Sequence, residues 1–289
     1  MVLPRFATLD LVQTAVLESV CGQGEPTSPR GSPTLEMPAF GFTLTNPRAR
    51  VIENPARRWN MALAVGEFAW HVSGSDDVAA LAYYAPIWRT FSEDGAHIRG
   101  SCYGKRIFAA AEGEPSQWSR LLRLLRFDPA SRRALLSVQQ GESEALSLSS
   151  LDVPCVTTCQ FLLRDGRLDA IVNMRSNDVI WGLPYDVFLF TMLQEMLSLE
   201  LGVGIGNYHH FAGSMHIYER HLDLARRILL SPTSGGEMPP MTHLDQLNSF
   251  IQAERALRVE GTPPTGLPPY WSDLLRPLAI LAEERYCAS

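Results

Sequence analysis

The stretch from Pro154 to residue 201 constrains the fold most. Residues 157–163 and 168–174 are apolar runs of strand length, and Asp165-Gly166 between them is a hairpin turn signal. Residues 187–201 are then nearly all apolar, the pattern of a central buried helix. Two paired strands feeding a buried helix put a sheet and a helix layer into one domain. Between the second strand and the helix lies Met174-Arg175-Ser176-Asn177-Asp178-Val179-Ile180-Trp181-Gly182-Leu183-Pro184-Tyr185-Asp186, following Pro154-Cys155 by about twenty residues. One Cys, an Arg, two Asp and a Gly-Leu-Pro corner are thus held close to the end of a hairpin.

The remaining chain extends this α+β pattern. Residues 8–22 place Leu9, Val12, Val16 and Val20 at helical spacing, and 22–33 form a Gly/Pro/Ser loop. A short strand is expected at 40–44, helices at 60–72 and 116–126, and a strand at 134–138. Strand and turn are expected over 207–218 and a helix over 218–230. The tail from Ser231 is rich in Pro and Gly, and 251–259 and 268–288 are left open. With 289 residues, 46% hydrophobic and 19% charged, the reading is a single α+β domain over 1–289. A mobile loop is expected at about 22–34.

A net charge of -6 argues against general nucleic-acid or anionic-membrane binding, yet leaves room for a small anion met by a few converging Arg. No apolar run reaches membrane-spanning length, and Met1-Val2-Leu3-Pro4-Arg5, which lacks a charged n-region followed by a continuous apolar run, is not expected to open a signal peptide. Cys21, Cys102, Cys155, Cys159 and Cys287 are odd in number and scattered, which fits neither a disulfide framework nor a zinc site. A reduced cytoplasmic protein without a metal is expected.

Taken singly, the candidate residues are ambiguous. Cys155, after a Pro at a strand edge, reads as a small buried hydrophobe. Its thiolate would also suit conjugate addition to an electron-poor ring, with Arg175 as the cation that favours ionisation. Glu67 lies in the apolar run Gly66-Glu67-Phe68-Ala69-Trp70 ahead of Ser73-Gly74, where a mid-helix Glu is usually at the surface. Trp88 and Tyr103 alone are core aromatics, Arg132 and Arg133 a solvated turn, and His216 and Tyr218 packing groups with polar tips.

Together these segments resemble the thymidylate synthase family, in order and spacing, from about residue 30 to 225. The matching places are Gly66–Trp70, Tyr84-Ala85-Pro86-Ile87-Trp88, Tyr103-Gly104-Lys105, Asp128-Pro129-Ala130-Ser131-Arg132-Arg133, Cys155, Arg175–Asp186 and Gly213-Ser214-Met215-His216-Ile217-Tyr218. The resemblance implies a thymidylate-synthase-like fold, a mixed sheet packed on helices, and a homodimer joined sheet to sheet. It implies that Cys155 adds to C6 of a pyrimidine nucleotide, with Glu67, Asp178 and Tyr103 completing the catalytic group. The phosphate falls to Arg30, Arg175, Ser176 and, across the dimer, Arg132 and Arg133. His216 and Tyr218 address the sugar 3′-hydroxyl. The cosubstrate 5,10-methylenetetrahydrofolate falls to Arg57, Trp88, Asp178, Gly182 and Tyr185.

Departures from the pattern direct the activity. The usual His after the nucleophile is Val156, the usual Gln before the phosphate Arg is Met174, and the tail at about 262–289 does not resemble the family's apolar closing segment. Most telling is Asp186, where thymidylate synthases carry the Asn that reads uracil. A carboxyl suits cytosine, with its N4 donor and N3 acceptor; the alternative is a helix N-cap before Val187. The expected activity is 5-hydroxymethylation of CMP, dCMP or both, as in the cytidylate hydroxymethylase branch known from antibiotic pathways. The rivals are methylation of dUMP and a nucleotide-binding module without turnover. His216 and Tyr218 cannot tell ribose from deoxyribose.

Overall fold

The computed structural model describes residues 3–139, 141, 146–262 and 265–287. The chain divides into two compact units, Met1–Trp59 with Leu122–Leu136 and Cys155–Met238, and Asn60–Leu121 with Ser137–Pro154 and Pro239–Ser289.

Numbered along the chain, the first unit holds β1 (Arg5–Phe6), α1 (Leu9–Gln23), β2 (Glu25–Thr27) and β3 (Thr34–Leu44). After β4 (Leu135–Ser137) come β5 (Val156–Arg164), β6 (Arg167–Met174), β7 (Asn177–Asp178), α6 (Gly182–Leu201), β8 (Gly204–Tyr218) and α7 (Leu222–Leu229). The sheet is mixed, ordered β1-β3-β8-β6-β5-β4, with β2 on β3 and β7 on β8. The β5–β6 hairpin turns through Asp165 and Gly166, both left-handed at φ 48 and 69, as a tight two-residue turn requires. Thr8 caps α1 by accepting the Leu11 N–H at 3.2 Å, and the stripe of Leu9, Val12, Val16 and Val20 is fully buried. Helices α1 and α6 both pack on the sheet. Each such apolar side chain contributes about 1.5–3 kcal/mol.

Four sequence expectations are corrected here. The central helix starts at Gly182, five residues before Val187, because Pro184 lies in its first turn, where a missing N–H costs nothing. The segment expected as strand and turn is the single strand β8, and the strand expected at 40–44 begins at Thr34. The next helix starts at Leu222, after a 3-10 turn over Glu219–His221.

The second unit is helical: α2 (Met61–Val72), α3 (Val78–Tyr84), α4 (Tyr103–Phe108), α8 (Leu247–Glu260) and α9 (Pro269–Cys287). Helix α5 (Gln117–Phe127) runs from this unit into the first. Asn60 caps α2 by accepting the Leu63 N–H at 3.1 Å. Phe68, Phe250 and Trp271 join α2, α8 and α9, with ring centroids 6.0 and 5.0 Å apart. The Pro- and Gly-rich tail thus ends in two helices that build core. Among the described residues, no helix is long and apolar enough to cross a membrane. No group of three or more His, Cys, Asp or Glu among them is arranged to hold a metal ion.

Candidate active site

In the first unit, the open end of the β5–β6 hairpin presents Cys155 and Arg175. Arg175 donates its N–H to the Cys155 carbonyl at 2.8 Å, continuing the ladder one step beyond the strands. This places the Arg175 Nη2 3.9 Å from the Cys155 sulfur, so a cation faces the thiol. Val156 and Met174, the two departures flanking these residues, are ladder partners and both buried. Each departure therefore puts an apolar side chain at a buried ladder position next in sequence to a site residue.

Beyond Arg175 the chain forms β7, paired with Met215 and His216 of β8. Ser176 Oγ lies 3.5 Å from His216 Nδ1, and the His216 and Tyr218 rings meet edge-on at 5.3 Å. The Asp178 carboxylate accepts the Ile180 N–H at 2.9 Å. Burial raises the pKa of Asp178, against the backbone N–H donors and the nearby His216 and His221. His221, half-buried, accepts the Trp181 indole N–H on Nε2 at 3.2 Å, and burial lowers its pKa.

Asp186 lies inside α6, so it is not the helix cap; that alternative is overturned by the helix start at Gly182. Its carboxylate accepts the Asn177 Nδ2–H at 2.8 Å. A little of the residue remains accessible. The carboxyl itself is packed deeply enough that lost hydration pushes its pKa up to about 7, with the Asp178 charge adding to the rise.

Arg57 is buried, donates Nη2–H to the Ile180 carbonyl at 2.7 Å, and lies 4.9 Å over the Trp181 ring. Its Nε is buried without an acceptor, as is the Trp59 indole nitrogen, while Tyr185 packs 5.6 Å from Trp59. Two orphaned donors among flat aromatic rings and Asp178 fit a flat, polar, acidic ligand such as a folate. Arg30, Arg132 and Arg133 are exposed. Arg30 sits at φ 49 in a short 3-10 turn (Pro29–Gly31), a left-handed conformation uncommon outside glycine.

The second unit carries Glu67, Trp88 and Tyr103. Glu67, mid-helix and half-buried, accepts the Trp88 indole N–H at 3.2 Å. The preceding Gly66 lets the Tyr84 ring lie against α2, since an added Cβ would fall 2.4 Å from it. Tyr103 stacks on His71, with centroids 5.3 Å apart and planes 7° apart. Burial lowers the His71 pKa to about 3, so the ring is neutral and its Nδ1 accepts the Gly104 N–H at 3.1 Å.

Asn177, His71 and His221 were not singled out from the sequence. Asn177 is hidden in the polar run Arg175–Asp178, and alternation along β7 is too short to mark it as buried. The signal available for His71 was its place beside Trp70 on an apolar helix.

Residues 15–254 match the protein-family model described as Thymidylate synthase. Among curated proteins, the chain is similar to the deoxyuridylate hydroxymethyltransferase of Bacillus phage SP01, with 27% identity over 212 residues. That match covers 70% of this chain and 55% of the relative, so the chain spans about half the length of the curated relative it matches.

Proposed function

The chain belongs to the thymidylate synthase family, and on that premise we propose that it hydroxymethylates C5 of a cytidine monophosphate, accepting both CMP and dCMP. The observation that carries this reading is Asp186, a buried carboxyl where the family's resemblance calls for Asn. At a pKa of about 7 it shares a proton readily near neutrality. One proton between the carboxyl and cytosine N3, with the N4 amine donating to the other oxygen, satisfies both edges.

In this reading the Cys155 thiolate, favoured by Arg175, adds to C6 and makes C5 nucleophilic. Arg57, Asp178, Gly182, Tyr185 and Trp88 would hold 5,10-methylenetetrahydrofolate, the cosubstrate of the family. It supplies one carbon at the oxidation level of formaldehyde. Once C5 carries that carbon, C5 loses its proton, the bond from that carbon to the tetrahydrofolate nitrogen breaks so that tetrahydrofolate leaves, and hydroxide from water joins the carbon. The C6–S bond then breaks and returns the thiolate. The family resemblance assigns Glu67 the ordering of water and the movement of protons, and Tyr103 a supporting role in catalysis. Arg30, Arg175 and Ser176 grip the phosphate, and His216 and Tyr218 hold the 3′-hydroxyl.

Arg132 and Arg133 complete the phosphate site of a second copy. Supporting this dimer, one sheet face carries Ile171, Asn173, His209 and Phe211 as cross-strand neighbours, with Phe211 39% exposed. Cys21, Cys102, Cys155 and Cys159 are outside disulfides, which supports a reducing, cytoplasmic setting.

The test is to incubate the protein with 5,10-methylenetetrahydrofolate and CMP, dCMP or dUMP and to weigh the nucleotide products. Addition of CH₂O to a cytidylate is expected. Methylated dUMP with release of dihydrofolate overturns the reading. A second reading, hydroxymethylation of a uridylate, is favoured by the name of the phage relative; CH₂O added to dUMP in preference to both cytidylates would establish it.

A further inference from the structure

Asn177 on β7 is 2% exposed and spends one amide hydrogen on Asp186 Oδ2 at 2.8 Å. Its own Oδ1 is buried without a partner, so the amide is held at this place despite an unsatisfied acceptor. Room for the pair is provided by Gly182. A Cβ there would lie 2.9 Å from Asn177 Nδ2 and 3.4 Å from Asp186 Oδ2. A strand residue, a glycine and a helix residue are therefore fitted to one another.

The need for such a device follows from the chemistry of a protonated carboxyl. It has one donor and one acceptor oxygen. In one order these meet N3 and the N4 amine of cytosine; flipped, they meet O4 and the N3–H of uracil. A carboxyl free to exchange its two oxygens therefore accepts either base, and a change from Asn to Asp does not by itself choose between them. An N–H aimed at Oδ2 marks that oxygen as the acceptor and leaves Oδ1 to carry the proton.

We infer that Asn177 is a specificity-determining positioning residue: its bond to Oδ2 fixes the donor–acceptor order of the Asp186 carboxyl, and that order excludes uracil. The inference rests on the reading of Asp186 as the residue that meets the base. The titratable groups facing Asp186 are Asp178 on β7 and Tyr208 on β8. Asn177 contributes no charge, so its effect is directional.

The experiment compares kcat/KM for CMP, dCMP and dUMP across pH 5–9 for the full-length protein and for Asn177→Ala, Asn177→Leu and Asp186→Asn. Asn177→Ala is expected to cut the cytidylate-over-uridylate ratio about ten- to hundredfold, mainly through cytidylate. It should also move the cytidylate pH midpoint upward, because the N–H that favours the carboxylate is gone. Asn177→Leu keeps the size and removes the donor without adding a titratable group, so it should act in the same direction if the Ala protein does not fold. Equal losses on all three nucleotides with an unmoved pH midpoint would mean a merely structural role and overturn the inference. If Asp186→Asn switches preference to uridylate while the Asn177 proteins keep the wild-type ratio, this inference alone fails. If Asp186→Asn leaves the ratio unchanged, the reading of Asp186 fails and takes this inference with it.

Discussion

The two ends of the proposed nucleotide site are solvated in opposite ways. Arg30, Arg132, Arg133 and Arg175 are exposed, whereas Asn177 is buried and Asp178 and Asp186 are largely covered. Charges in water attract a phosphate over a distance but give modest, salt-screened energies. Polar groups taken out of water are costly when left unmatched, by about 1–3 kcal/mol each. The cationic end is therefore suited to capture and orientation, and the buried end to choosing the base. Cys155, half-buried at the mouth of the hairpin, stands between these regimes.

The largest effect is expected at that junction. Cys155→Ala should lower turnover by on the order of 10⁴-fold or more, while nucleotide binding, followed by calorimetry, persists. Binding lost together with turnover would mean that the sulfur helps to build the site, and the division between grip and chemistry would fail. Next is the buried end. Asp186→Asn should shift preference toward dUMP by at least about a hundredfold, since each base then meets the opposite pattern of donors. The measurement is competition of dCMP against dUMP at equal concentration, and an unchanged product ratio would break the comparison.

Substitutions at the exposed end should cost less and act differently. Arg132→Ala or Arg175→Ala removes a charge-assisted bond worth about 1.5–3 kcal/mol, so KM should rise roughly ten- to hundredfold. The salt dependence of KM should flatten, and the choice between cytosine and uracil should stay as it was. For Arg175 a fall in kcat is expected as well, because its guanidinium also faces the Cys155 sulfur. Mixing Arg132→Ala protein with Cys155→Ala protein should restore part of the activity if the phosphate site is shared between copies. No restoration would remove Arg132 from the shared site.

How legible this was in the sequence depended on the period of the pattern. The β5–β6 hairpin and the apolar helix after it were plain, because strand-length apolar runs around Asp165-Gly166 admit few alternatives. The start of α6 was misread because Gly182-Leu183-Pro184 reads as a corner, while a Pro in a first helical turn breaks nothing. In β8, Gly206 lies opposite the register shift between Leu168 and Ala170, where a Cβ would fall 2.2 Å from Asp169 Oδ1 and 2.9 Å from the Leu168 backbone. At the site, Cys155, Arg175 and Asp186 could be marked by residue type. Asn177 could not, since its role comes from a residue nine places on, brought back by the turn into α6.

The smallest effect expected is on stability, and it isolates burial of Asp186 from anything the substrate does. The folded carboxyl has a pKa of about 7 against an ordinary 3.8, so folding favours its neutral form. That contribution is fully present below about pH 4 and is lost as pH rises through 7, because the unfolded chain releases the proton first. Between pH 5 and pH 8 the loss should be of the order of 1–2 kcal/mol, less than the full shift would give, since some solvent reaches the residue. Asp186→Asn has no proton to lose there, and it also removes a like charge beside Asp178, which acts in the same direction at the higher pH. The difference between the two urea midpoints, measured at pH 5 and at pH 8, should therefore change in favour of the Asn protein at the higher pH. If the two proteins keep a constant difference over that range, the Asp186 carboxyl ionises normally, and the contrast between a wet grip and a dry base reader loses its energetic basis.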